Sequence, residues 1–414
     1  MSGKSGPPMP SAPRRPVYKN RPGFNHAARG LQLDRRDSTL ERAMTERSFI
    51  AERIKTIGTS GIRRIFDLGA KLKDPIDLSI GQPDFKVPDP VKKAMIRAIE
   101  SDHNGYTNTR GIPELRDRIA AQLETEFDWQ PDVFVTCGVS GGLYLALLAC
   151  LNAGDEVILT DPYFVSYNHL VRLAGGTPVA VSTYDDFRLD PERLESAITD
   201  RTRLVIVCSP GNPTGVVYER EAVKAVAELA RKRDLLLISY EIYNVLCYDG
   251  PSPSPVAFAP ERTVLLRGYA KSHALTGLRL GYAAGPADVI AQMAKLQQFT
   301  YVCAPHPGQY GALAAMDTDM SKQVAEYRSK RDLVCRELEG AFEFVRPAGG
   351  FYVFPRIPAR YQSATEFVSA AIERNLLIIP GEVFSQRDTH FRISYAASDD
   401  KLRRGCAILC ELAW

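Results

Sequence analysis

Short apolar runs that alternate with amphipathic stretches restrict the fold of this 414-residue sequence more than any other feature. Between two of these runs, the stretch 220–232 has the apolar spacing of an amphipathic helix. Such alternation predicts an α/β fold in which helices cover both faces of a mostly parallel sheet. In sheets of this kind, ligands bind at the carboxyl ends of the strands. The predicted strands lie at 132–136, 156–160, 203–208, 235–239 and 263–266.

Composition excludes several classes of protein. The formal net charge of +3 is too small to indicate nucleic-acid binding. No run approaches the ~18 apolar residues that a membrane helix requires, so we expect a soluble, cytoplasmic protein with no membrane partner. The eight cysteines have neither CxxC spacing nor the density of a disulfide scaffold, which favours reduced thiols. We expect no metal ligands.

The first 45 residues differ in composition from the rest of the chain. They are rich in proline and basic residues and contain few large apolar residues to bury, which predicts a mobile N-terminal arm over 1–45. A transit peptide is the alternative, because such peptides are also basic, but Asp34 and Asp37 weaken it.

The stretch GYAKSHALTGLRLGY (268–282) follows the predicted strand 263–266 and carries reactive groups. Lys271 lies at the exit of the strand, and Arg279 follows eight residues later among glycines. An amine in this place can form a Schiff base with an aldehyde, and a guanidinium suits a phosphate. An isolated lysine and arginine at this spacing would be typical of a solvated loop, so the interpretation depends on other stretches.

Three further stretches follow predicted strands and suit the same ligand. VTCGVSGGL (135–143) is a glycine-rich turn before a helical run, where backbone NH groups can bind phosphate. SPGNPTG (209–215) presents the amide of Asn212, and ISYEIY (238–243) presents the phenol of Tyr243. Each stretch alone is typical of a structural turn.

These motifs, in this order, resemble the class I/II aminotransferases, which are fold-type I enzymes that use pyridoxal 5′-phosphate (PLP). The resemblance covers roughly 46–414. It implies a large PLP-binding domain over 81–310, with a smaller α+β domain built from 46–80 and 311–414. The other matching stretches are LSIGQPDF (78–85), YTNTRGIPELR (106–116), AGDEVILTDPYFVSY (153–167), AGGFYVFPRI (348–357), PGEVF (380–384) and FRISYA (391–396).

The resemblance implies a role for each residue that matches around the phosphate and the lysine. Lys271 would form the Schiff base and then move the proton between the substrate Cα and C4′ of the cofactor. Arg279, Ser140 and the backbone of Val139 would hold the phosphate. Tyr106 would reach the phosphate of the neighbouring subunit's cofactor, which implies a homodimer with shared active sites.

The resemblance also implies which residues contact the ring and the substrate. Phe164 would stack on the pyridine ring, while Asn212 and Tyr243 would hold its O3′ oxygen, with Tyr243 counted as catalytic beside Lys271. Arg392 would bind the substrate α-carboxylate through its bidentate fork. Asn212 and the backbone NH of Gly81 would assist Arg392.

Tyr240 departs from the family, which has an aspartate beside the pyridine nitrogen at this position. The aspartate keeps the nitrogen protonated, because a nearby anion stabilises the charged form. A tyrosine, with a pKa of about 10, is a neutral phenol and cannot supply that charge. By strand alternation Glu241 should face the other way, and Asp234 lies at the start of the strand, so neither is expected to replace the missing carboxylate.

Three functions remain open from the sequence. The leading one is a PLP-dependent aminotransferase that exchanges an amino group between an amino acid and a 2-oxo acid, impaired or retuned by Tyr240. The second is a PLP-dependent lyase or racemase-like enzyme that tolerates an unprotonated ring. The third is a PLP-binding protein with little turnover.

Overall fold

A central sheet of seven strands organises the described part of the computed structural model, which comprises residues 49–58, 61, 65, 68–70 and 72–414. The strand order is β2-β8-β7-β6-β5-β3-β4, and every neighbouring pair is parallel except the two that involve β8. The prediction of a mostly parallel sheet is confirmed. The arm expected at 1–45 lies outside the described residues. The strands are β2 (Asp132–Thr136), β3 (Glu156–Asp161), β4 (Thr177–Ser182), β5 (Thr202–Val207), β6 (Leu236–Tyr240), β7 (Thr263–Gly268) and β8 (Gly281–Gly285).

The direction of the strands gathers several chain segments at one edge of the sheet. Both β2 and β7 pair antiparallel with β8, so β2 and β7 run in the same direction. The parallel strands β6, β5 and β3 share that direction. Their carboxyl ends therefore meet at one edge, which brings the segments after residues 136, 207, 240 and 268 together.

Apolar side chains on both faces explain why these segments form the interior of the sheet. Every residue of β3 and β7 is buried, as expected for strands covered by helices on both sides. The helix Arg220–Lys232 buries Val223, Val226, Ala227 and Ala230, the spacing of one helical face. Its charged residues lie on the opposite, solvated face.

Helices surround the sheet and occupy the C-terminal part of the chain. Among the described residues, no helix has the length and apolar character needed to cross a membrane. The α-helices span Glu52–Lys55, Asp89–Glu100, Pro113–Phe127, Gly138–Cys150, Ser166–Leu173, Pro191–Ser196, Arg220–Lys232, Ala287–Thr300, His306–Met316, Ser321–Leu338, Ala364–Glu373 and Asp399–Ala413. Short 3₁₀ turns span Pro255–Ala257, Pro260–Arg262 and Gly381–Val383.

Two smaller sheets lie outside the central one, and the first joins segments from opposite ends of the sequence. The strand β1 (Ile76–Asp77) pairs in parallel with β10 (Leu376–Leu377). The strands β9 (Tyr352–Val353), β11 (Ile379–Pro380) and β12 (Phe391–Ser394) form an antiparallel sheet with β12 in the middle. The amide of Ser394 donates to the carbonyl of Leu78 at 2.8 Å. This bond brings the segment after β1 against β12, which carries Arg392.

Candidate active site

A cavity of about 340 Å³ lies at the edge where the carboxyl ends of the parallel strands meet. Ten of the eleven residues that the sequence predicted for the site line this cavity, and the exception is Tyr106. The predicted residues in the lining are Gly81, Val139, Ser140, Phe164, Asn212, Tyr240, Tyr243, Lys271, Arg279 and Arg392.

Lys271 presents its amine to the cavity just beyond the end of β7. Its Nζ donates a hydrogen bond to the carbonyl of Gly81. Enclosure in the cavity, together with the positive charges of Arg392 and Arg279, lowers the pKa of Lys271 to about 8. A larger fraction of the amine is therefore neutral near neutral pH than for an exposed lysine, and the neutral amine is the nucleophilic form.

A glycine turn and an arginine form the anion-binding end of the cavity. The helix Gly138–Cys150 starts here, so the backbone of Val139 and Ser140 lies in its first turn, where unpaired NH groups favour an anion. Gly138 has a φ of +75°, and a Cβ at this position would lie 2.6 Å from Nη2 of Arg279. Nη1 of Arg279 donates to the carbonyl of Thr276 at 3.0 Å. The glycine thus leaves space for the guanidinium beside the helix start.

Asn212 and Tyr243 lie together in the lining of the same cavity. Nδ2 of Asn212 is 3.5 Å from the hydroxyl of Tyr243. Burial raises the pKa of Tyr243, so it is a neutral phenol with a proton to donate. Phe164 is half-buried and packs its ring edge to face with Tyr167, with centroids 5.7 Å apart. These groups offer donors for a ring oxygen and an aromatic surface beside it.

Arg392 is almost fully buried and leaves one donor group unused. Its Nη1 donates to Oδ1 of Asn212 at 3.1 Å, and its Nη2 donates to the carbonyl of Ser79 at 2.6 Å. Its Nε is buried and has no hydrogen-bond partner within the described part of the chain. A buried guanidinium with an unused donor suits a carboxylate in the adjoining cavity.

Tyr240 ends β6 and also lines the cavity. Its ring packs edge to face on Tyr167, with centroids 5.3 Å apart. Burial raises the pKa of Tyr240, an effect that Ser140 and Arg279 only partly offset. Position 240 therefore supplies a neutral phenol where the resemblance calls for a carboxylate.

Glu241 faces away from the cavity, as strand alternation predicted. Its Oε1 accepts from Ser254 at 2.6 Å, and its Oε2 accepts from Nε of Arg267 at 2.9 Å. Asp234 lies two residues before β6 and is paired with Arg262. Neither carboxylate belongs to the cavity lining, so neither replaces the missing aspartate.

Sequence reasoning missed some of the residues in the lining. It assigned Tyr106 to the phosphate site of the neighbouring subunit, and Tyr106 does not line the cavity of its own chain. Tyr352 and Tyr167 lie in the matching stretches 348–357 and 153–167, so their presence in those stretches was the available signal. Tyr106 is 83% exposed, and its contact with a second copy stays a prediction. The other unpredicted lining residues are Ile80, Gln82, Ile242, Ala270 and Thr276.

The donor set of the cavity fits PLP at the predicted positions that line it, except at 240. Lys271 offers an amine that could bind the aldehyde, and Asn212 and Tyr243 offer donors from which O3′ could accept. The space that a Cβ at Gly138 would fill lies between the helix start and Arg279, where a phosphate would bind. The exception is Tyr240, which brings no negative charge to the ring nitrogen.

Comparison with known proteins gives a consistent family pattern. The family described as "Aminotransferase class I and II" matches residues 73–409. A probable aspartate aminotransferase of Methanocaldococcus jannaschii is 35% identical over 88% of this chain and 99% of its own length. Aromatic-amino-acid aminotransferase 2 of Thermococcus litoralis is 34% identical over 85% of this chain and 95% of its own. The structure of Thermus thermophilus aspartate aminotransferase with maleate matches with a TM-score of 0.85 at 35% identity, covering 88% of this chain and all of that one.

Proposed function

This chain belongs to the class I and II aminotransferases, and from that premise we propose which of its residues carry the reaction and how Tyr240 changes it. The protein is a PLP-dependent aminotransferase that moves an amino group from an amino acid to a 2-oxo acid. When bound, PLP supplies an aldehyde that takes up the amino group between the two halves of the exchange and a ring that accepts electron density from the substrate Cα.

Lys271 is the residue that would hold the cofactor aldehyde covalently. Its lowered pKa supports this role, because the neutral amine is the form that attacks a carbonyl. When not bonded to the cofactor, the Lys271 amine would be free to carry the proton between the substrate Cα and C4′ of the cofactor. The carbonyl of Gly81, which accepts from Nζ, orients the amine within the cavity.

The phosphate would be held by Arg279, the side chain of Ser140 and the backbone of Val139. The helix start at Gly138 supplies NH groups and the favourable end of the helix dipole. Asn212 and Tyr243 would donate to O3′, and Phe164 would cover one face of the ring. The presence of these side chains around a single cavity supports the proposed roles.

Arg392 would bind the substrate α-carboxylate, with Asn212 and the backbone NH of Gly81 beside it. The most direct support for the whole proposal is that the amine of Lys271 and the unused Nε of Arg392 belong to one cavity that also contains the anion-binding turn. The Lys271 amine and the Arg392 guanidinium would serve an amino acid substrate, and the anion-binding turn would serve the cofactor phosphate.

Tyr240 would slow or retune the transfer. A neutral phenol offers the ring nitrogen at most a hydrogen bond, so the ring withdraws less charge from the substrate Cα than a protonated one would. A lyase or racemase-like reaction, or binding with little turnover, is the alternative that this same residue favours.

Three exposed aromatic rings support a homodimer. Tyr106 and Phe299 are 83% and 80% exposed, and Tyr301 is 44% exposed. The ring of Tyr301 would lie 3.9 Å from a Cβ at Gly141, in the helix that starts at the turn. We propose that a second copy covers these rings and that its Tyr106 reaches this cavity. We also propose a cytoplasmic location, which the eight free thiols support. The smaller domain is proposed to consist of 46–80 and 311–414.

A spectroscopic titration of the purified holoprotein tests the proposed function. An amino donor that converts the visible absorbance of the cofactor to that of pyridoxamine phosphate supports transamination. A carbonyl product without pyridoxamine phosphate supports the lyase, and an unresponsive band supports binding with little turnover. Aspartate and the aromatic amino acids are the first donors to test, because the relatives are named for them.

A further inference from the structure

Tyr352 completes a closed set of contacts that links the residues proposed for the substrate carboxylate to those proposed for the cofactor O3′. Arg392 donates to Asn212 at 3.1 Å, and Asn212 lies 3.5 Å from the hydroxyl of Tyr243. Tyr243 in turn donates to the hydroxyl of Tyr352 at 3.2 Å. The ring of Tyr352 then lies against Arg392, which closes the set.

The ring of Tyr352 fixes the position of the guanidinium. The central carbon of Arg392 lies 4.5 Å from the centroid of the Tyr352 ring and 4.7 Å from that of Phe384. A guanidinium held between two aromatic rings keeps its plane, and the cation–π attraction is stronger for groups removed from water. Arg392 is 1% exposed, so this condition is met.

The hydroxyl of Tyr352 lies at the cavity wall rather than in the core. A Cβ at Gly81 would come within 2.8 Å of it, and Gly81 carries the carbonyl that accepts from Lys271. The hydroxyl accepts from Tyr243, so its own proton is not used in that bond. When Tyr243 turns its proton towards a ring oxygen, Tyr352 can rotate its proton to the oxygen of Tyr243.

We propose that Tyr352 is a positioning residue that couples the carboxylate site at Arg392 to the O3′ donors Asn212 and Tyr243. This inference rests on the proposed function of the cavity. A phenol that accepts a hydrogen bond becomes a better donor, so Tyr352 strengthens the bond from Tyr243 to the cofactor oxygen. A substrate whose carboxylate binds Arg392 thereby changes the environment of the cofactor O3′ through Tyr352 as well as through Asn212.

The pH titration of the cofactor's visible absorbance in the Tyr352→Phe holoprotein tests the hydroxyl. Loss of the Tyr352 hydroxyl weakens the hydrogen bond that Tyr243 donates to the cofactor O3′. The O3′ anion is then less stabilised, so it holds the proton of the chromophore more strongly. The pKa of the band should therefore rise by about 0.5, equivalent to about 0.7 kcal/mol. The matched control is Tyr395→Phe, which removes an equally buried hydroxyl bonded to the carbonyl of Gly350 at 3.3 Å and should leave the band unchanged.

Two further variants separate positioning from general packing. In a Tyr243→Phe background the change Tyr352→Phe should give no additional rise, because its effect passes through Tyr243. Tyr352→Leu also removes the ring, so it should raise KM for the best amino donor at least about fivefold, whereas Tyr352→Phe should keep KM within about twofold. If Tyr352→Phe fails to fold, Gly81→Ala displaces the same hydroxyl and should raise the pKa of the band.

The inference is overturned if Tyr352→Phe titrates like the unaltered protein, or if Tyr395→Phe causes an equal rise. An additional rise in the Tyr243→Phe background also overturns it. Failure of the proposed function has a different signature, because the unaltered holoprotein would then convert no amino donor while its absorbance could still be titrated.

Discussion

Tyr240 carries its phenol into the cavity where β6 ends, and the neighbouring carboxylate of Glu241 lies on the opposite side of the strand. The side chains around Tyr240 are mainly neutral or positive: Tyr167 packs on its ring, while Ser140 and Arg279 influence its hydroxyl. Among the described residues, no carboxylate lines the cavity beside the position expected for the ring nitrogen.

We predict that Tyr240→Asp raises turnover at least tenfold, which corresponds to about 1.4 kcal/mol of transition-state stabilisation. The new carboxylate would keep the ring nitrogen protonated and strengthen its withdrawal of electrons from the substrate Cα. Steady-state kcat with the best amino donor is the measurement.

Tyr240→Phe is the matched control for that variant, because it keeps the ring and removes only the hydroxyl. It should leave turnover close to that of the unaltered protein. An unchanged or lower rate for Tyr240→Asp, in a folded protein that retains its cofactor, contradicts this account of the ring nitrogen.

The lowered pKa of Lys271 predicts the pH dependence of cofactor uptake by the apoprotein. Only the neutral amine attacks the aldehyde, so the initial rate of PLP uptake should rise with pH and level off above a pKa of about 8. The increase in visible absorbance after mixing gives this rate. A rate that keeps rising towards the ordinary lysine pKa of about 10.4 would contradict the lowered value.

Lys271→Ala is the control for covalent attachment. It should show no pH-dependent uptake of this kind, and borohydride treatment should leave its cofactor removable. In the unaltered holoprotein, borohydride should fix the cofactor to Lys271.

At the level of elements, the turn between β2 and the helix Gly138–Cys150 is shaped by one glycine. Gly138 combines a φ of +75° with close approach to Arg279, while Gly154 has a φ of +86° and nothing within 4 Å of its Cβ position. The two glycines share a positive φ and differ in their surroundings.

We predict that Gly138→Ala weakens PLP binding at least tenfold, about 1.4 kcal/mol, because its methyl group displaces the guanidinium. Gly154→Ala carries the same backbone cost of about 1–2 kcal/mol and should leave PLP affinity unchanged. Fluorescence titration of each apoprotein with PLP gives the affinities, and urea unfolding gives the backbone cost. Equal PLP affinity in both variants would show that Arg279 does not need the space beside residue 138.

The sequence patterns predicted the strands whose apolar side chains face two layers of helices. The predicted run 203–208 corresponds to β5 (Thr202–Val207), and 235–239 corresponds to β6 (Leu236–Tyr240). Two strands of the central sheet escaped prediction, β4 (Thr177–Ser182) and β8 (Gly281–Gly285). In β8, GYAAG has small residues with little strand propensity, and its burial depends on elements distant in the chain, among them β2 and β7.

The candidate site was predictable where one local stretch holds both the residue and its context, as for Lys271 and the glycine-rich turn 135–143. Tyr352 could not be assigned a role in this way, because it contacts Tyr243, 109 residues away in the chain, and Arg392 on a neighbouring strand. Local patterns carry no information about such distant contacts. The direction of Glu241 was predictable, since strand alternation alone determines it.

At the level of the whole molecule, we predict a homodimer with shared active sites. Light scattering should give twice the chain mass of 45.8 kDa. Because the exposed Tyr106 would serve the partner's phosphate, Tyr106→Ala should weaken cofactor retention without altering the fold of its own chain.

Subunit exchange between Tyr106→Ala and Lys271→Ala proteins tests the sharing. A hybrid dimer has one site with both residues intact, so activity at limiting PLP should recover to about a quarter of the unaltered value. Each variant incubated alone is the control. A mixture no more active than the sum of its parts after verified exchange contradicts shared sites.

The ionic contacts behind β6 have a consequence for how such enzymes diverge. Arg267 donates to both Glu241 and Glu126, and the carboxylate of Glu241 also accepts from Ser239 and Ser254, so the strand end is anchored without help from residue 240. A replacement at 240 therefore leaves the framework around Lys271 in place. During evolution, a substitution at residue 240 can therefore change the reactivity of the enzyme without a change of fold.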